Sequence, residues 1–301
     1  MVILESPKEA DIILLHEHVF NLYPPRKKQE NKDFTLSLLE QLSSCNVRYI
    51  VDLTPYANLN KYSDIINGSP IPIICSIGFS YGKHVPAADK KKSTEAIYQD
   101  LERLYLYGIG RQKIRPGIIK LSTNTKEPKA YEHSFADAAI RLSNKYLLPI
   151  AYHCPFNTFD RYRELLEKGI NPRRLMVCHY ENQHSRMSKD EFLEQAVYIA
   201  LQGSYLQFSD FGTKATSEKA KSTIDLLNYL VNYGFADKIL LSSDCNWSWK
   251  NGLPKMKVGN MELGYRYLFD YTLPLLKKSG VPDEILESIL KTNPKAYLGM
   301  Y

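Results

Sequence analysis

Two histidines spaced two residues apart, His16 and His18, end the apolar run Ile12, Ile13, Leu14, Leu15. In an extended strand, residues i and i+2 point the same way, so both imidazoles can reach one metal ion. Such a pair is by itself weak evidence, because strand histidines are more often packed or solvated than metal-bound. Its weight depends on what closes the other apolar runs. Lys120 closes the run after Pro116, His153 the run after Pro149, His179 the run after Leu175, and Asp244 the run after Ile239. Four of the seven histidines therefore end apolar runs, whereas His84, His133 and His184 fall in loop-like stretches or helix starts. Chance does not readily arrange that.

Neutral imidazoles and a carboxylate suit zinc and similar borderline divalent ions. Six groups are too many for one tetrahedral ion, and two ions about 3.5–4 Å apart with a shared water or hydroxide are the natural solution. Lys120 is the odd member, since an ammonium beside two cations would be repelled. Either it is neutral there, its pKa lowered by the metals and by burial, or carbon dioxide has converted it into a carbamate whose two oxygens could bridge both ions.

Eight short runs rich in Ile, Val and Leu are strand candidates: 12–18, 49–54, 71–79, 117–122, 148–153, 175–179, 205–209 and 239–244. Amphipathic stretches predict helices over 34–45, 93–107, 134–146, 160–168, 189–201, 217–233, 263–278 and 282–291, with only a weakly helical connection around 58–68. Gly169 closes one helix and Pro282 opens the last. Strands alternating with helices imply parallel pairing through crossovers. Eight units in 301 residues predict a single (β/α)8 barrel domain spanning 1–301, an α/β TIM barrel with its chemistry at the carboxyl ends of the strands. An open doubly wound sheet would instead predict a glycine-rich turn after the first strand, and none is present.

Composition excludes other classes. With 44% hydrophobic and 24% charged residues the chain is neither disordered nor membrane-spanning in character. The first ten residues do not resemble a secretory signal. Five scattered cysteines read as reduced buried thiols, so a cytoplasmic location is expected. Cys154, Cys178 and Cys245 adjoin the candidate ligands, but strand alternation should turn them to the other face. The net charge of +6 is mild, and the basic clusters at 26–28 and 90–92 read as solvated loops, so neither nucleic acid nor a membrane is an expected partner.

The order His-x-His, Lys, His, His, Asp resembles the phosphotriesterase family, and its lactonases in particular, within the amidohydrolase superfamily. Leu15 to His18, Gly117 to Lys120, the histidines ending the fifth and sixth strands, Leu240 to Asp244, and the tail from Asn293 to Leu298 carry the likeness. Val51 to Thr54 also looks like that family's second strand. The resemblance implies two divalent ions, zinc foremost, with His16, His18 and Asp244 on the more buried one. His153 and His179 would hold the more exposed one, and carboxylated Lys120 would bridge. It further implies a hydroxide attacking an ester-type centre, with Asp244 as proton acceptor, and a homodimer. Nucleases of the same scaffold that carry glutamate in the fourth strand fit less well.

A lactone, of a sugar or an acyl chain, is the expected substrate. The alternatives are an amide, a phosphodiester or an organophosphate on the same site, or a metal-binding homologue without catalysis. Tyr81 is a candidate for positioning the lactone, although Ser80 occupies the spacing at which the resemblance places tyrosine. Trp247 and Trp249 could wall an apolar or sugar-like ligand, and Lys250, Arg186 and Lys214 could meet an anionic group on it.

Overall fold

The computed structural model describes residues 11–20, 28–55, 59–80, 82, 85–211, 217–245, 247–250, 253–256 and 264–300. Eight parallel strands follow one another in spatial order: β1 (Ile12–Glu17), β2 (Val47–Asp52), β3 (Ile73–Gly78), β4 (Ile118–Ser122), β5 (Ile150–His153), β6 (Leu175–Cys178), β7 (Tyr205–Phe208) and β8 (Ile239–Leu241). The helices that return the chain are α1 (Lys28–Ser44), α2 (Ser63–Gly68), α3 (Thr94–Tyr107), α4 (Ala130–Tyr146), α5 (Thr158–Glu167), α6 (Lys189–Leu201) and α7 (Glu218–Asn232). This is the (β/α)8 barrel that the alternation of patterns predicts.

Local chemistry accounts for the helix starts. Ser93, Ser188 and Ser217 each accept a hydrogen bond from the backbone N–H three residues on, capping α3, α6 and α7. On α7, Ala220, Thr223, Leu226, Leu227 and Leu230 recur at helical spacing and are buried against the sheet. Burying each of those leucines stabilises the layer by roughly 1.5–3 kcal/mol.

Two layers of core result. The larger lies between sheet and helices and includes Leu14, Ile50, Ile119 and Leu206. The smaller fills the barrel, with Ile13, Leu15, Val51, Ile74, Ile118, Ala151, Met176, Tyr205 and Leu240 among its members. Tyr297 closes that inner core from below, its ring 5.2 Å from that of Tyr205.

The last third departs from the expected pattern. The predicted helix over 263–278 is a 3-10 turn (Gly264–Arg266), a π turn (Leu268–Thr272) and α8 (Leu273–Lys278). Pro274 near the start of α8 has no N–H to continue an α-helical ladder, which fits the change of winding there. Pro282 caps α9 (Asp283–Leu290), and α10 (Thr292–Leu298) follows where no helix was expected. Asn293 of α10 donates to the carbonyls of Ala236 and Ile239, fastening the tail to the start of β8. A small antiparallel hairpin, β9 (Trp247–Lys250) with β10 (Leu253–Met256), follows the eighth strand. No helix among the described residues is long and apolar enough to cross a membrane.

Candidate functional site

The six predicted ligands meet at the carboxyl ends of the strands, but simple alternation does not put them there. Ile13 and Leu15 face into the barrel and Leu14 faces the helices, so a regular β1 would send His16 outward with Leu14. Instead, Leu14 pairs with Ile50 and Glu17 with Asp52, three steps on β1 against two on β2. That bulge adds one residue and turns His16 and His18 inward. His179 follows the inward-facing Cys178 and is likewise turned by its backbone, which takes the left-handed conformation at φ 56°. Asp244 sits at φ 45°. Backbone strain of this kind costs on the order of 1–3 kcal/mol per residue, and it gathers where a site needs it.

The cluster is continuous. Asp244 Oδ1 lies 3.5 Å from His16 Nε2 and 3.3 Å from His18 Nε2, while Oδ2 lies 3.6 Å from His179 Nε2. Lys120 Nζ is 3.3 Å from His16 Nε2, and the His153 ring stands 5.2 Å from that of His179. The carboxylate therefore sits between the two ligand sets that the family resemblance implies.

Three of the rings are fixed from behind. His16 Nδ1 is 3.1 Å from Gln207 Oε1, an acceptor only, so Nδ1 carries the proton and Nε2 is left with its lone pair. Thr54 Oγ1 donates to Asp52 and therefore accepts from His18 Nδ1 at 2.8 Å. Ser209 Oγ donates to Glu181 and accepts from His179 Nδ1 at 2.7 Å. All three rings thus turn an Nε2 lone pair toward Asp244.

Burial keeps the rings of His16, His153 and His179 neutral. It holds His16 and His153 well below the usual imidazole range, helped by Lys120 and His179 respectively, and lowers His179 to about 4 despite the opposing charge of Asp244. Burial also opposes the charge on Asp244, but His179, His16 and His18 outweigh it and hold the carboxyl far below its ordinary value. Among the supporting carboxyls, burial raises Glu17 to about 8, Glu181 to about 7 and Asp52 to about 6, against backbone N–H donors that favour the ionised form.

These residues fit divalent metal. Tetrahedral arms of about 2.0–2.1 Å put neighbouring donor atoms roughly 3.3–3.4 Å apart, and the separations around Asp244 are close to that. His16, His179 and Asp244 form a group with ligand atoms all within 4.8 Å of one another. Asp244 Oδ1 is buried without a hydrogen-bond partner. Lys120 is 2% exposed, and among the described residues no carboxylate lies within ion-pair distance of its Nζ.

Matched against known families, residues 6–298 fit the model of the phosphotriesterase family. The chain belongs to that family. It is 23% identical to an aryldialkylphosphatase of Saccharolobus solfataricus, an alignment covering 96% of this chain and 95% of that one. It is 28% identical to a phospho-furanose lactonase of Mycoplasmopsis synoviae over 63% of this chain and 52% of the relative. A crystal structure of the phosphotriesterase homology protein from Escherichia coli, complexed with phosphate in its active site, matches the fold with a TM-score of 0.78. Its sequence identity is 20%, covering 97% of this chain and 100% of that one. As a member of the phosphotriesterase family the chain is a hydrolase.

The substrate candidates fare differently from the ligands. Tyr81 and Lys214 lie outside the described residues. The backbone of Trp247, Trp249 and Lys250 forms β9. Arg186 is exposed in the turn after β6, its guanidinium 5.1 Å from the ring centre of Phe156, which follows β5.

Cys178 corrects the alternation argument, because its Sγ lies 3.9 Å from Lys120 Nζ inside the barrel. Alternation counted from Met176 puts it there, and the irregular residue is His179. Burial raises the Cys178 thiol to about 11, so it is not a nucleophile at neutral pH. Sequence reasoning missed Gln207, Ser209, Glu181 and Glu17. For the first two a signal existed: they share the inward parity of Tyr205 on β7, where polar residues have no packing reason to be.

Proposed function

We propose that this protein is a binuclear metal-dependent hydrolase that opens a lactone, of a sugar or an acyl chain. The observation that carries the reading is the convergence of three Nε2 atoms on one carboxylate beside a buried lysine that has no carboxylate within ion-pair distance among the described residues. His16, His18 and Asp244 would hold one ion and His153 and His179 the other, with zinc best suited to the donor set. Lys120 would serve both as a carbamate, formed as its neutral amine adds to carbon dioxide and gives a proton to solvent. When bound, the ions supply Lewis acidity toward the substrate oxygen and lower the pKa of water.

The chain's own residues supply the rest. Asp244, ionised at neutral pH, accepts the proton of the attacking water at a carboxylate oxygen and returns it to the leaving alkoxide of the opened ring. Gln207, Thr54 and Ser209 keep the rings in the required tautomer throughout. The lactone is preferred because a relative bears a lactonase name, and an organophosphate is the second reading because another bears an aryldialkylphosphatase name.

The test is metal analysis per chain, followed by assays with plain and phosphorylated sugar lactones, acyl lactones, an aryl dialkyl phosphate, a phosphodiester and an amide. Two ions per chain and fastest turnover of a lactone are expected. Absence of divalent metal with no metal-dependent hydrolysis would sink the reading, and turnover confined to the phosphate ester or the amide would replace the lactone.

A further inference from the structure

Glu17, the middle residue of the His-Glu-His triplet, points away from the metal ligands and is fully buried. Strand order runs from β1 to β8, and the seam between those two ends is closed differently from the other neighbours. Two backbone bonds cross it, from Asp244 N–H to the His16 carbonyl at 3.0 Å and from His18 N–H to the Cys245 carbonyl at 3.1 Å. Ser242 Oγ accepts from His16 N–H at 2.9 Å, and the carboxyl group of Glu17 supplies further acceptors. Its Oε1 accepts from Ser242 Oγ at 2.8 Å and Ser243 N–H at 2.7 Å, and its Oε2 accepts from Cys245 N–H at 2.8 Å. Those two N–H groups flank Asp244 on either side.

We infer that Glu17 is a positioning residue: by gripping the backbone before and after Asp244 it holds that residue in its left-handed turn and aims its carboxylate at His16, His18 and His179. The inference rests on the proposed metal site but concerns a residue that touches neither ion nor substrate. The bulge in β1 explains how one triplet does both jobs, since turning His16 and His18 inward leaves Glu17 directed across the seam. A non-glycine residue at φ 45° stays there only where its surroundings over-determine it, and here the two oxygens of one side chain add to the backbone bonds across the seam.

The test uses the full-length, metal-free protein titrated with Co2+, read by binding affinity and by the visible absorption that reports coordination geometry. Glu17→Gln keeps the size of the side chain but sets an amide NH2 against one of the flanking N–H groups. It is expected to weaken the tighter class of sites by about 10–100-fold and to change the visible band. Glu17→Asp keeps the carboxyl group with a shorter reach and is expected to fall between that variant and the wild type. Leu227→Ala on α7, which loses stability far from the seam, should leave both affinity and band unchanged. If Glu17→Gln folds and binds Co2+ with wild-type affinity and spectrum, the inference is overturned; if it does not fold, Glu17→Asp decides by the same two readouts. Wild-type protein that binds no Co2+ would defeat the metal site itself, whatever the variants do.

Discussion

Asp244 and His179 carry the charge balance of the site, and each makes a distinct prediction. Asp244→Asn preserves shape but removes the proposed proton acceptor, so the fold should persist while turnover falls by about 10²–10⁴-fold. Steady-state kinetics beside a circular dichroism spectrum checks this, and full activity would remove Asp244 from the mechanism. For His179, burial lowers the folded-state pKa to about 4 from the ordinary imidazole value of 6.5. Between those values the unfolded chain takes up a proton that the folded chain refuses, so this group's contribution to stability is present above pH 6.5 and is lost as pH falls toward 4. The metal-free protein should therefore lose on the order of 3 kcal/mol across that window through this residue. Denaturant unfolding of wild type and His179→Gln at pH 7 and pH 4.5 isolates the difference, and parallel pH slopes would refute it.

At the level of elements, β3 shows how closely the strands must approach to hold Lys120. Gly78 has φ +104°, and a Cβ there would meet the Lys120 carbonyl oxygen at 2.1 Å. Gly78→Ala should cost at least about 2 kcal/mol in unfolding experiments and lower the metal content, because β4 must move away with its lysine. Unchanged metal content in a folded Gly78→Ala protein would show that Lys120 tolerates that shift. The same strands explain what could be read from sequence. Alternating apolar runs and helical stretches specify the barrel, because each pattern has one geometry that buries it, and the terminal His, Lys and Asp stand out as polar groups at positions that packing alone would not choose. The bulge at His16, the left-handed turn at His179 and the reach of Glu17 across the seam leave no such pattern. They arise from contacts between strands: the pairing of β1 with β2, His179 against Ser209, and Glu17 with Ser243 at a separation of 226.

For the molecule as a whole, the six groups come from β4 and β5, from β1 and the residue after it, and from the chain just past β6 and β8, so the candidate site joins both halves of the barrel at one end, while Tyr297 and Asn293 pack against β7 and the start of β8 at the other. Ions that bind the folded barrel and not the unfolded chain stabilise it by mass action, by about 4 kcal/mol at a free concentration a thousandfold above Kd. Removing them with a chelator at fixed pH should therefore lower the unfolding temperature of the whole barrel in one cooperative transition, and adding Zn2+ back should restore it. Lys120→Ala, which removes the expected bridge, should begin with a lower unfolding temperature and respond less to the chelator. Calorimetry of both proteins, with metal content measured on the same samples, checks the argument: complete metal loss without a drop in unfolding temperature would mean that the strand ends are held by Glu17, Asp52, Glu181 and their hydrogen bonds alone, with the ions contributing chemistry and no stability.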